Sequence, residues 1–319
     1  MFLEKMGGYM PKLDSIIDAQ QFDYETLARV FEIAKEMEEV GCEDLLKGKI
    51  MTSLFYEPST RTRLSFEAAM KRLGGEVIST ENAKEFSSKA KGESLEDSIR
   101  VISGYCDVIV LRYYKEGGAR RAQDYSNVPI INAGDGAGQH PTQALLDLYT
   151  IKKTFGDIRG LKIAMAGDLI NGRTVRSLSY FLAKHFPDNE IFFISPSRVR
   201  MREDIKGYLD RYRVKWNELE NFDGVLSQLD VIYQTRVQKE RFEDDQAVYE
   251  EIMAESEKLI IDRQKLEQMK SSAIIMHPLP RLSEIRYGVD KDPRAKYFEQ
   301  AKNGLHVRMA LLKMVLAGY

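Results

Sequence analysis

Six short turns in this 319-residue chain carry side chains suited to holding small anions. They place Arg61 in EPSTRT, Arg112 in LRYYKEG, His140 in NAGDGAGQHPTQ, Arg173 in AGDLINGRT, Arg236 in QTRVQKERF and His277 in MHPLPR. A guanidinium fork binds phosphate or carboxylate through paired N–H donors. Each turn follows a short β-branched or apolar run, so each cation or imidazole is expected just past the end of a strand. One such arginine means little. The set describes a strongly positive site for one or two small, multiply charged anions.

The first of these turns poses a question of its own. From Ser59 the chain reads as an amphipathic helix, with Phe66, Ala69, Met70 and Leu73 at helical spacing and Gly74-Gly75 ending it. Ser59 suits the N-cap, and Pro58 precedes it. Arg61 and Arg63 then fall in the first turn, where the helix dipole disfavours cations. Two explanations stand at this point. Glu57 and Glu67 pair with the arginines on the surface, an arrangement worth about 0–1 kcal/mol. Alternatively an anion sits at the helix start, cradled by first-turn N–H groups, a guanidinium and the hydroxyls of Ser59, Thr60 and Thr62. Arg61 and Arg63 are two residues apart and point to different sides, so one of them faces the anion. His140 opens another helix with Pro141 in its first turn. The positive helix end lowers an imidazole pKa there, giving a neutral donor for a carbonyl, unless the ring merely caps the helix.

The elements that must position these groups alternate. Strands are expected at 50–55, 76–79, 107–111 and 129–132, with helices at 24–40, 60–73, 95–104 and 142–154. A second series has strands at 161–166, 190–195, 231–234 and 273–276, and a closing helix at 295–316. Such alternation indicates an α/β fold of two domains, each a parallel sheet flanked by helices. The boundary is expected near residue 140, with domains at 1–140 and 141–291 and the 292–319 helix packing back on the first. Ligands of parallel sheets bind at the carboxyl ends of strands, where the six turns lie.

Composition narrows the function. Forty-seven basic and forty-nine acidic residues leave a net charge of −2, which argues against nucleic-acid binding. No apolar run approaches the roughly 18 residues of a membrane span, and the start lacks a signal-peptide core. The two cysteines, Cys42 and Cys106, suggest a reducing compartment, and cytoplasm is the expectation. GDLINGRT (167–174) approaches a P-loop, but Arg173 replaces the lysine and Asp168 would face phosphates with negative charge. GDGAG (134–138) lacks the third glycine of a dinucleotide fingerprint, and the four histidines show no metal spacing. His185 and His306 read as structural.

FYEPSTRT, HPTQALLD, GDLINGRT, TRVQKER and HPLPR together resemble, in this order, the signature segments of the carbamoyltransferase family, and within it the aspartate branch. The resemblance runs from about residue 45 to the C-terminus. It implies transfer of the carbamoyl group of carbamoyl phosphate to the amino group of L-aspartate, early in pyrimidine synthesis, without metal or cofactor. It further implies a cleft between two domains and a homotrimer with shared active sites, and it leaves open a separate regulatory chain. By the same resemblance Ser59, Thr60, Arg61 and Thr62 hold the phosphate, leaving Arg63 structural. Arg112, His140 and Thr62 contact the carbonyl oxygen, and Gln143 the carbamoyl amine. Arg173, Arg236 and Gln238 hold the aspartate carboxylates beside Thr174, while Leu279 and Pro280 offer backbone carbonyls. Ser87 and Lys91 reach in from a neighbouring subunit, although FSSKAKGE also contains Lys89. Arg176 stands where near relatives of the family are expected to carry histidine. The rival readings are an ornithine carbamoyltransferase and a non-catalytic binding subunit. The first typically has H-C-L-P at 277–280 and a Ser-Met-Gly loop that is absent here. The second would have lost a site residue, and none assigned is missing.

Overall fold

The computed structural model describes residues 13–39, 44–81, 83 and 92–317. The chain divides into two compact units, one running through Gly136 and resuming at Gly304, the other spanning Ala137–Asn303. The division falls four residues before the expected boundary, and the returning segment is shorter than 292–319.

In the first unit β1 (Ile50–Phe55), β2 (Glu76–Thr80), β3 (Val108–Tyr113) and β4 (Ile130–Asp135) form a sheet in the order β2-β1-β3-β4. All pairs are parallel. The helices are α1 (Tyr24–Glu39), α2 (Thr60–Arg72), α3 (Leu95–Ile102) and α4 (Gly118–Tyr125). Leu54, Ile109, Leu111 and Ile130 of the sheet pack with Leu95 and Ile99 of α3 and with Ala119 and Ala122 of α4. Nothing in the sequence pattern singled out α4, because GARRAQDY turns only two small alanines inward.

In the second unit β5 (Lys162–Ala166), β6 (Glu190–Ile194), β7 (Lys215–Leu219), β8 (Val231–Gln234) and β9 (Ile274–Met276) give the parallel order β7-β6-β5-β8-β9. Its helices are α5 (Pro141–Phe155), α6 (Arg173–His185), α7 (Glu203–Arg211), α8 (Gln246–Ser256) and α9 (Arg263–Gln268). Ala164, Ala166, Phe192, Ile194, Ile232 and Ile275 alternate onto one core face. Ile163, Met165, Ile191, Phe193, Val231 and Tyr233 between them are buried as well. Burial on both faces explains the continuous apolar runs, which parallel sheets require. The edge strand β7, KWNEL, is only partly covered and lacked such a run.

The closing helix α10 (Tyr297–Leu316) bridges the chain division at Asn303/Gly304. Its later half belongs with the first unit, where Arg308 lies over the Phe66 ring at 5.1 Å and Lys313 lies 3.6 Å from Glu36. Among the described residues no helix is long and apolar enough to cross a membrane.

Gly167 ends β5 with φ +111°, and a Cβ there would stand 2.3 Å from the Thr235 carbonyl oxygen. That backbone cannot retreat freely, because Thr235 N–H donates to Ala166 O at 2.7 Å. Gly167→Ala is therefore expected to cost about 2–3 kcal/mol. Urea unfolding would measure it, and a loss below about 0.5 kcal/mol would contradict the argument.

Candidate active site

Helix α2 leaves the carboxyl end of β1 through the turn that carries the first candidate residues. Ser59 is its N-cap, yet its hydroxyl makes no capping bond. Ser59 N–H instead donates to Glu81 Oε1 at 3.3 Å. Thr60 and Arg61 are exposed and Thr62 is buried. Arg63 runs along the other side of the helix toward β2. Its Nη2 lies 3.0 Å from Glu81 Oε2 and its Nη1 3.4 Å from Glu67 Oε1, and it donates to Ser79 Oγ at 3.1 Å. Of the two first-turn arginines, Arg63 is thus built into the fold. Arg112 pairs in register with Phe55, so β3 delivers it to the same sheet edge. Its Nε lies 3.7 Å from Glu57, and its Nη1 donates to Ala133 O at 3.4 Å. Ser87 and Lys91, with the alternative Lys89, lie outside the described residues.

The second unit gathers the remaining candidates. Register pairs Ala166 with Gln234 and Tyr233 with Met276, so the turns after β5, β8 and β9 leave one edge side by side. Asp168, in the P-loop-like turn, is fully buried. It accepts from Asn171 N–H and from Gln238 N–H, each at 3.2 Å. Burial pushes its carboxyl up from the usual range, against the pull of these bonds. Gln238 Nε2 also donates to Asn171 O at 3.0 Å, which clamps the β8 turn to the β5 turn. Asp168 is thus a tether between turns.

Arg236 points both terminal nitrogens at Glu240, with Nη1 at 3.0 Å from Oε2. The guanidinium holds the Glu240 carboxyl below its ordinary value. Arg173 and Thr174 start α6, half-buried. The Thr174 hydroxyl interacts with the Tyr233 phenol. His140 is the buried N-cap of α5 with Pro141 next, as the sequence suggested, and its N–H donates to Ser177 Oγ at 2.9 Å. His277 lies inside the β9 turn, only 2% exposed. Its Nδ1 accepts from Leu279 N–H at 2.8 Å, and its Nε2 lies 2.9 Å from Glu284 Oε1. Leu279 has φ +52°, and the Leu279–Pro280 bond is cis.

Sequence reading missed the groups behind Gln143. Gln143 Nε2 donates to Asp147 Oδ1 at 2.9 Å, one helical turn along α5. Asp147 is fully buried, and also accepts from Tyr233 Oη at 2.8 Å and Gln300 Nε2 at 2.6 Å. The available signal was an acid inside a helix whose residues are otherwise mostly apolar from Ala144 to Ile151.

Two parallel-sheet units thus carry arginine, glutamine and histidine in and just after the turns at their strand ends. Residues 14–153 match the carbamoyl-P binding domain of aspartate/ornithine carbamoyltransferase, and residues 159–315 match the Asp/Orn binding domain. The chain belongs to the aspartate/ornithine carbamoyltransferase family. Aspartate carbamoyltransferase 1, chloroplastic, of Pisum sativum is 56% identical over 312 residues, covering 97% of this chain and 80% of the relative. The catalytic subunit of Methanocaldococcus jannaschii aspartate transcarbamoylase aligns with a TM-score of 0.87 at 50% identity, over 96% of this chain and 98% of that one. Trypanosoma cruzi aspartate transcarbamoylase in complex with carbamoyl phosphate and aspartate gives 0.90 at 39% identity, over 96% and 99%.

The cytoplasmic expectation is corrected by these relatives. Those from Pisum sativum, Arabidopsis thaliana and Oryza sativa, 55–56% identical to this chain, are named chloroplastic. Charge and thiol count report on fold class and redox chemistry, whereas an address is read from a targeting segment that need not belong to the folded domains.

Proposed function

We infer that this chain transfers the carbamoyl group of carbamoyl phosphate to the amino group of L-aspartate, giving N-carbamoyl-L-aspartate and phosphate for pyrimidine synthesis. The observation that carries the choice of aspartate is the β8 turn. Arg236 there is already seated on a carboxylate, and Gln238 is pinned beside it by Asp168. Such a turn suits a dicarboxylate and would repel the side-chain ammonium of ornithine.

In this reading the first unit binds carbamoyl phosphate through Ser59, Thr60, Arg61 and Thr62, with the first-turn N–H groups of α2. The aspartate amine, in its neutral form, attacks the carbamoyl carbon. A C–N bond forms, the C–O bond to phosphate breaks, and the leaving phosphate takes the amine proton. Negative charge grows on the carbonyl oxygen, where fixed donors from Arg112, His140 and Thr62 are worth most. Gln143 accepts from the carbamoyl amine, and Leu279 and Pro280 supply further carbonyls. Arg173, Arg236 and Gln238 hold the aspartate carboxylates beside Thr174. Holding two mutually repelling anions in line is much of the catalysis, since alignment supplies about 7–11 kcal/mol in favourable cases.

The assembly in this reading is a homotrimer in which Ser87 and Lys91 complete a neighbour's site. The reading leaves room for a separate regulatory chain, and sizing the protein alone and with candidate partner chains would test for one.

Arg61→Ala is expected to lower turnover at least ~100-fold with the fold intact, by removing a charge-assisted contact to the leaving group. Arg63→Ala acts on stability instead, because it removes the cation that Glu67 and Glu81 share. Equal activity losses in two folded variants would refute the division.

Arg236→Ala should raise the KM for aspartate strongly and leave carbamoyl phosphate affinity nearly unchanged, as read by calorimetry. A large loss of carbamoyl phosphate binding would contradict the assignment of substrates to units.

Homotrimers of Lys91→Ala and of His140→Ala are each expected to be nearly inactive. Trimers reassembled from an equal mixture should recover about one quarter of wild-type activity if sites are shared around a closed ring. No recovery in trimers of confirmed mixed composition would exclude sharing.

A further inference from the structure

The polar groups behind Gln143 form a continuous hydrogen-bonded chain whose direction can be worked out from one end. His277 N–H is a backbone donor and cannot accept, so the Gln300 atom 2.9 Å from it must be the oxygen. The other end of that amide, Nε2, then faces Asp147 Oδ1 at 2.6 Å. On the second carboxylate oxygen the Tyr233 hydroxyl donates at 2.8 Å. Burial, and then the Asp147 charge, push the Tyr233 phenol well up, so it keeps its proton to give. Both oxygens of Asp147 are therefore acceptors. Gln143, 2.9 Å from Oδ1, has only its NH₂ to offer. The reverse orientation would set two oxygens against each other in a site from which water is excluded, since Asp147 is fully buried.

We propose that Asp147 is a positioning residue that fixes the polarity of the Gln143 amide, committing NH₂ inward and the carbonyl Oε1 to the ligand, and thereby makes the site prefer an acyl phosphate bearing an amino group over one bearing a methyl. The inference rests on the reading in which Gln143 meets the carbamoyl amine. An amine donates to a fixed Oε1, whereas a methyl leaves that oxygen unsatisfied. The chain also runs on through Gln300 to His277, and from His277 Nδ1 to Leu279 N–H at 2.8 Å. One buried carboxylate thus orients the Gln143 amide and anchors the turn that presents Leu279 and Pro280.

Asp147→Leu keeps roughly the same shape but offers no acceptor at either oxygen position, which frees the Gln143 amide to adopt either polarity. An asparagine would not serve, because Gln300, held by His277 N–H, would keep its amide oxygen facing Gln143. Calorimetry with carbamoyl phosphate and with acetyl phosphate reads the preference directly. In the folded variant the ratio of the two dissociation constants is expected to shrink at least about tenfold. A merely structural residue would weaken both ligands alike, so an unchanged ratio overturns the proposal. Gln143→Ala separates the two layers of the argument. If it leaves the ratio unchanged, the reading of Gln143 is wrong; if it shrinks the ratio and Asp147→Leu does not, only the positioning role falls. Should Asp147→Leu fail to fold, the wild-type protein still decides. Its Gln143 side-chain amide protons, assigned in ¹⁵N spectra by their loss in Gln143→Ala, should exchange far more slowly than those of an exposed glutamine. Exchange at the exposed rate would overturn the inward NH₂.

Discussion

Parallel pairing is the constraint from which the rest follows. All named strands among the described residues pair in parallel, so within each sheet every strand ends at the same edge. A parallel connection has to cross over the sheet, here mostly through helices, the β7–β8 link with only a 3₁₀ turn being the exception. The faces then become apolar core, and the strand ends are where polar chemistry can collect. Arg112 reaches that edge in the first unit because β3 pairs with β1 at Phe55. In the second, the β5, β8 and β9 turns emerge together for the same reason.

Turns that emerge together still need holding, and here buried polar groups replace apolar packing. Asp168 binds the β5 turn to the β8 turn through backbone N–H groups. Ser177 takes the N–H of His140, which fixes the start of α5 against α6. His277 folds the β9 turn onto itself and meets Glu284. Hydrogen bonds of known direction constrain angle as well as distance, so they hold a ligand-binding turn more tightly than contacts between methyl groups do. A buried carboxylate is costly alone, and both Asp147 and Asp168 are accordingly surrounded by donors.

Charge is used in two ways. Arg63 is engaged by Glu67 and Glu81 and serves the α2–β2 contact. Arg61, two residues earlier, stands exposed on another side of the same turn. Arg236 meets Glu240 within its own turn, so a substrate carboxylate that binds there competes with an acid already in place. Such pairing limits the repulsion among cations before ligand arrives, and it explains how a slightly acidic chain can carry a cationic site.

By itself the sequence determined the α/β class, all but one of the named strands, and the turns that hold the candidate residues. Apolar runs, glycine stops and caps such as Ser59 and His140-Pro141 are local features, and burial on both sheet faces writes them plainly into the chain. The edge strand β7 was illegible because KWNEL has no β-branched residue, unlike the more exposed but legible edge strand β2, EVIST. Helix α4 was illegible because an alanine-faced helix buries too little to leave a pattern. Cytoplasmic location was misread, since no property of the folded domains encodes an address. Only the tertiary structure decided that Arg63 is bound into the fold, that Asp168 tethers two turns, and that Asp147, Tyr233 and Gln300 stand behind Gln143. Gln300 is 153 residues from Asp147 and Tyr233 is 86. A hydrogen bond between groups so far apart in the chain leaves no spacing to read, because its partners meet only once the sheet and helices have packed.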